Sequence, residues 1–318
     1  MKQNVNYDKY YFIRNQGLLL VFVVMFIFFA ILSPYFLTVS NIFNVLRQSS
    51  VLFLLASGQS LVVITGGIDL SHGSLIGLCS TLIGLALLNY GVLEGILAGL
   101  LMGLISGIIC GILIGWRKLE PFIVTLGMMY ALEGVTLIIT GGKPVFGIED
   151  SVLKIFCILG RGYFLKVIPV PVVILFIFIS IMYVILHKLK YGRHLFAVGG
   201  NEIAARLSGI NITLTKIIAY SVDGILVGIA AIILTARAGS GQPLMGGGML
   251  MESIGAVVVG GISLKGGRGN VFQAVLGVFF MAFMVNGLDI LGISTFVKQL
   301  LIGCIIIGGV LIRLRENK

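Results

Sequence analysis

Residues Gln59–Gly77 read QSLVVITGGIDLSHGSLIG, an apolar run that halts at two adjacent glycines, passes Asp69, Ser71 and His72, and then resumes. Gly66, Gly67 and Gly73 are poor helix formers, so the run predicts a break rather than one long helix. Irregular backbone at membrane depth is tolerated only where protein buries it or water reaches it. The stretch therefore reads either as a tight polar turn at a membrane surface or as a broken helix lining a path. A second copy follows near the other end of the chain. Gly260–Gly267, GGISLKGG, matches Gly66–Gly73, GGIDLSHG, at five of eight positions, and Gly260, Gly261, Gly266 and Gly267 predict a second break. Glycine-interrupted spans in corresponding places are the pattern of transporters whose site lies between two halves.

The surrounding composition agrees. The chain has 318 residues, 58% of them hydrophobic and only 11% charged, which excludes a soluble globular domain. Apolar runs long enough to cross a bilayer recur at about 17–36, 51–66, 74–90, 92–115, 121–140, 168–187, 216–236, 250–263, 270–288 and 296–312. The expected fold class is an all-α polytopic helical bundle of about ten transmembrane helices with broken or re-entrant segments. Residues 1–318 form one transmembrane domain with a basic tail at 1–16, an outer segment at 141–167 and an inner polar segment at 191–211. Leu18–Ile31, preceded by Lys2, Lys9 and Arg14, has no small-residue cleavage site after it and reads as an uncleaved first span. Thr38–Ser50 is too polar to cross and predicts a short surface helix capped by Ser40. Gly99, Gly103, Gly107, Gly111 and Gly115 give one smooth helix face for close packing, and the glycine-rich Ala238–Gly248 reads as partly re-entrant.

Charge sets the expected topology. The net charge is +10, and of the 22 Lys and Arg only Arg47, Lys143, Lys154, Arg161, Lys166, Arg237 and Lys298 fall outside segments that a ten-span topology puts inside. The positive-inside rule then places both termini, both breaks and residues 191–211 in the cytoplasm. Basic residues confined to short loops, without aromatic platforms between them, do not describe a nucleic-acid binder. Cys79, Cys110, Cys157 and Cys304 have no metal-ligand spacing and read as packing residues.

Tyr191–Asn211, YGRHLFAVGGNEIAARLSGIN, is the longest polar stretch between apolar blocks. Asn201 is a good N-cap, Glu202 sits in a first turn that favours an anion, and Gly209 is placed as a stop, so a helix of about two turns is predicted. Glu202 with Arg206, and Ile203 with Leu207, are i,i+4 pairs. A helix this short needs a packing partner. On the residues alone it is either a polar connection between spans or a docking element.

Glu202-Ile203-Ala204-Ala205 with Gly209 resembles the EAA-type cytoplasmic loop in the permease subunits of bacterial ABC importers. The wider block from Gly192 to Arg268, together with GGIDLS at Gly66–Ser71, resembles the ribose-type sugar permeases, and the likeness extends over about residues 35–312. Two residues depart from that pattern: His72 and Asp223 stand where the family commonly has small residues. The resemblance implies a permease in the bacterial inner membrane that carries a monosaccharide by alternating access. It implies that Asn201–Leu207 and Gly209 couple to a separate ATPase subunit, with Ala204 and Ala205 allowing close approach and Ile203 and Leu207 giving apolar contact. It also implies an extracytoplasmic sugar-binding protein, a second permease copy, identical or paralogous, and ATP with Mg on the ATPase, with no cofactor on this chain.

The residues carry little reaction chemistry. There is no phosphate-binding loop, since Gly266-Gly267-Arg268-Gly269 lacks the lysine and hydroxyl that one needs, and no zinc-protease motif or hydrolytic triad. A transport subunit without its own ATPase is expected. For a neutral polyhydroxylated cargo the path candidates are Gln59, Ser60, Thr65, Gln242 and Asn286, with Phe53 and Phe283 as wall and Asp69 and Glu252 as ionisable groups beside spans. Each polar candidate reads equally as an interhelical hydrogen bond. His72 reads either as a titrating group or as one facing the inner solvent. A proton-coupled secondary transporter and a channel remain open, as do non-sugar solutes such as autoinducer-2, inositol or a nucleoside.

Overall fold

A computed structural model describes the backbone of residues 4–316 and the side chains of residues 18–309. Helix α1 runs Asn4–Leu32, so most of the expected tail at 1–16 has helical backbone; its side chains, and residues 1–3 altogether, lie outside the described residues. The other helices are α2 Val39–Ile64, α3 His72–Asn89, α4 Val92–Gly111, α5 Pro121–Thr140, α6 Asp150–Phe156, α7 Ile158–Arg161, α8 Val170–Tyr183, α9 Lys190–Gly200, α10 Glu202–Leu207, α11 Ile212–Ala238, α12 Met249–Gly260, α13 Val271–Ile290 and α14 Thr295–Glu316. Short π-helical turns extend α4 to Trp116 and α8 to Lys188. Among the residues whose side chains are described, seven helices are long and apolar enough to cross a membrane, and Leu18–Leu32 of α1, Met249–Gly260 and Thr295–Gly309 of α14 are shorter apolar stretches. Together they fall where the ten apolar runs of the sequence lie.

The expected surface helix at Thr38–Ser50 is corrected. Val39–Ile64 is one helix of 26 residues, and its cap is Thr38, whose Oγ1 accepts from Asn41 N at 3.3 Å. Its polar residues are absorbed by protein: Asn41 and Asn286 exchange two amide hydrogen bonds at 2.9 Å, and Ser50 Oγ donates to its own helix at Arg47 O. Every residue from Ser49 to Ile64 is buried, because α8, α11, α12 and α13 surround this helix. The main hydrophobic core lies around it, and a smaller aromatic core holds Phe29, Phe36 and Phe283 against α1.

The glycine ridge of α4 meets α11 backbone to backbone. A methyl group at Gly103 would lie 2.2 Å from Gly224 O, and one at Gly107 the same distance from Tyr220 O. A second close approach explains the glycine-rich loop after α11. It descends along α3, with Gly241 against Gly84, Pro243 against Gly77 and Gly246 against Gly73. Eleven helical residues separate Gly73 from Gly84, so the loop penetrates roughly 16 Å into the bundle. Residues 141–167 are structured as well: α6 and α7 lead to an antiparallel hairpin, β1 Tyr163–Phe164 with β2 Ile168–Pro169, and Val145 pairs with Gly241.

Candidate functional site

The first break is built from side chains belonging to three other elements. After α2 ends, Gly66 turns the chain at φ +82° and residues 67–71 run without regular structure to α3. The Gln59 amide, oriented to satisfy both partners, donates to Asp69 O at 3.1 Å and accepts from Asp69 N at 3.3 Å. Asp69 Oδ1 accepts from Ser71 N at 2.7 Å and from Ser71 Oγ at 2.6 Å, which closes a local turn. Ile68 O accepts from Thr125 Oγ1 on α5 at 3.3 Å and from Tyr220 on α11 at 3.5 Å. Irregular backbone inside the bundle is thereby supplied with partners, as burial requires.

At the start of α3 His72 faces α11, not solvent. Its Nε2 lies 2.9 Å from Asp223 Oδ1 and 3.1 Å from Oδ2, and the two side chains are 0% and 1% exposed. Asp223 stands eleven residues into α11, roughly 16 Å from Ile212. Room for it comes from Gly58 on α2, where a methyl group would lie 2.0 Å from Asp223 Oδ1. The two residues singled out by the resemblance are therefore in contact with each other, and only the tertiary structure shows that they form one hydrogen-bonded pair. Asp69 completes the cluster, with a ligand atom of each of the three residues within 4.8 Å of the others. His72 Nε2 already sits at hydrogen-bond distance from both Asp223 oxygens and Asp69 Oδ1 already accepts two bonds, so the group reads as a buried His–Asp pair beside a capped turn.

The path candidates do not form one line. Gln59, Ser60, Thr65 and Asp69 lie at or just before the first break, where Ser60 Oγ donates to Ala56 O at 2.5 Å and Thr65 Oγ1 to Val62 O at 2.7 Å, whereas Phe53 is buried in the main core roughly 16 Å farther up α2. Gln242 lies in the descending loop, its N–H donating to Ser80 Oγ at 2.9 Å and its amide to Ser240 Oγ at 2.8 Å. Glu252 borders a cavity of about 380 Å³ between α12, α13 and α14, together with Lys298 and Gln299. Phe283 and Asn286 belong to the aromatic core beside α1 and to the contact with Asn41.

Residues 190–207 form two helices rather than one. Helix α9 buries Gly192, Leu195 and Val198, and Tyr191 Oη donates to Thr215 O at 3.1 Å, tying α9 to α11. Burial pushes the Tyr191 phenol up. Asn201 Oδ1 accepts from Ala204 N at 3.0 Å, which starts α10, and Gly209 at φ +79° ends the turn after it. Three details differ from the sequence reading. The Glu202 carboxylate pairs with Lys216 on α11 instead of with Arg206. Ala205 is 3% exposed, packed with Val198 and Ile212, so only Ala204 of the two alanines faces outward. Helix α9 was not expected, although Tyr191, Leu195 and Val198 recur at i, i+4 and i+7. Ile203 and Leu207 stand out from the protein at 74% and 84% exposure.

Comparison with known proteins adds the family context. Residues 41–310 match the family model described as branched-chain amino acid transport system / permease component. The chain is 41% identical to the ribose import permease protein of Bacillus subtilis (strain 168), over 92% of this chain and 91% of that protein. It is 37% identical to the ribose import permease protein of Escherichia coli (strain K12), covering 99% and 98%. A D-allose transport system permease protein of the same strain is 33% identical, covering 96% and 91%. No solved structure matches the chain.

Proposed function

The chain belongs to the branched-chain amino acid transport system / permease component family, and from that premise we propose that it is the membrane-spanning permease of an ATP-driven importer for a monosaccharide of the ribose class. The observation that carries the coupling part of this reading is the outward face of α10. Ile203 and Leu207 are almost fully exposed on a six-residue helix whose opposite face, at Ala205, is anchored to α9 and α11. Two large apolar side chains held in water by an anchored helix are suited to fill a groove on another protein. That protein is the cytoplasmic ATPase subunit, which holds ATP and Mg; both termini of this chain lie on the same side. An extracytoplasmic sugar-binding protein delivers the cargo, and a second copy of the chain completes the path. Nucleotide binding closes the ATPases, draws the two α10 helices together and exchanges outward and inward openings, driven by the difference in how the two conformations bind nucleotide.

The test is ATP hydrolysis by the chain copurified with its ATPase subunit in lipid discs, with and without binding protein loaded with ribose, allose or xylose. Stimulation by one loaded sugar is expected and identifies the cargo. Glu202→Lys, which sets a second lysine-type charge against Lys216, or Gly209→Val, which forces a branched residue to φ +79°, abolishes uptake while leaving membrane insertion intact. One observation favours a second reading: a buried His72–Asp223 pair deep in the bundle is the kind of group a proton-coupled carrier uses. Sugar uptake driven by a proton gradient without ATP would put that reading first.

A further inference from the structure

We propose that Gly66, Gly199, Gly266 and Gly267 form a backbone junction that makes the two helix breaks and the α9–α10 unit move as one body, with Gly199 as its positioning residue. The proposal rests on the reading of α10 as the docking helix. Gly199 is the penultimate residue of α9, two residues before the Asn201 cap. A methyl group there would lie 1.7 Å from Ile64 O, at the end of α2, and 2.6 Å from Gly267 N, in the second break. Those two groups are bonded to each other, the Gly267 N–H donating to Ile64 O at 2.9 Å. The bond satisfies one of the carbonyls that a helix C-terminus leaves without an intrahelical donor. A methyl at Gly266 would lie 2.8 Å from Gly199 O and 3.0 Å from Gly66 N, and one at Gly267 would lie 2.7 Å from Gly200 Cα.

Three chain segments far apart in sequence thus meet backbone on backbone. Side-chain contacts can absorb a small displacement by changing rotamer, whereas close-packed main chain joined by a hydrogen bond passes it on. A shift of α9–α10 must therefore carry the end of α2 and the second break with it. Gly200 supplies an internal control: it lies next in sequence, yet a methyl there meets nothing within 4 Å, and its φ is not left-handed.

Gly199→Ala and Gly200→Ala are compared in the complete complex with ATPase subunit and binding protein in lipid discs. Basal ATP hydrolysis of Gly199→Ala should survive, while its stimulation by loaded binding protein and its uptake fall by about tenfold or more, the scale of a small overpacking penalty; Gly200→Ala should match the parent. Normal stimulation and uptake by Gly199→Ala overturns the proposal. If Gly199→Ala does not assemble, amide exchange of the unaltered complex decides, with and without vanadate-trapped nucleotide. Protection should change together at residues 64–67, 199–201 and 265–268. A change confined to 199–201 overturns the junction. An unaltered chain that recruits no ATPase overturns the reading of α10, and the junction's role with it, and is distinguishable from both results.

Discussion

In the first break Asp69, Ser71 and His72 are at most 4% exposed, whereas at the corresponding places of the second break Ser263 is half-buried and Lys265 is exposed. The first is held by remote side chains, from Gln59 on α2, Thr125 on α5, and Tyr220 and Asp223 on α11. The second is held mainly through backbone: Ser263 N donates to Arg268 O and Gly266 N to Ser263 O, both at 3.0 Å, Gly267 N donates to Ile64 O at 2.9 Å, and Asn270 Oδ1 caps α13 through Gln273 N at 2.8 Å. Five shared residues out of eight are enough to repeat a break. They do not set its depth, and depth decides whether the polar positions need partners from elsewhere in the fold.

That contrast can be broken by removing polar groups from each side in turn. The largest effect is expected from Asp223→Ala, which leaves the buried His72 Nε2 without its hydrogen-bond partner and should cost about 1–3 kcal/mol, read as a lowered melting temperature of the purified chain. Replacing both His72 and Asp223 by alanine should recover part of that loss, because a buried pair removed whole leaves no stranded polar partner. If the double variant is the less stable of the two, the pair is not the tie described here. Asn270→Ala, which removes at least the α13 cap, should cost about 1 kcal/mol or more. The smallest effect is expected from Lys265→Ala, whose side chain is exposed: the melting curve should superimpose on that of the parent, and a marked fall would mean that side chains as well as backbone hold the second break.

Much of the fold was legible because a bilayer demands runs of a certain length, and the ten apolar helices lie where the ten runs predicted them. The reading failed where polarity was taken for exposure. Thr38–Ser50 looked too polar to cross and predicted a separate surface helix, yet it is continuous with α2, Asn41 finds Asn286 across 245 residues, and Ser49 and Ser50 are enclosed by neighbouring helices. Asn201 and Gly209 delimited α10 correctly because capping and a left-handed stop are local events. The face of α10 was not legible. Ala205 turns inward and Glu202 reaches Lys216 because α9 and α11 lie on that side, and i,i+4 spacing holds no information about them. The candidates proposed for a path shared hydrogen-bonding capacity, but that capacity is equally used up by helix carbonyls, as at Ser60 and Thr65.

By itself the sequence determined that this chain crosses a membrane many times, that it carries two related helix breaks, and that it belongs with the importer permeases. Length, glycine placement and short motifs are properties of contiguous residues, and the physics they report, spanning, breaking and capping, acts over a few turns of helix. Tertiary structure alone decided that His72 and Asp223 are one pair across 151 residues, and that Gly199 is wedged between two breaks more than 60 residues away on either side. Those contacts are fixed by how helices pack, and packing depends on the shapes of all the partners at once.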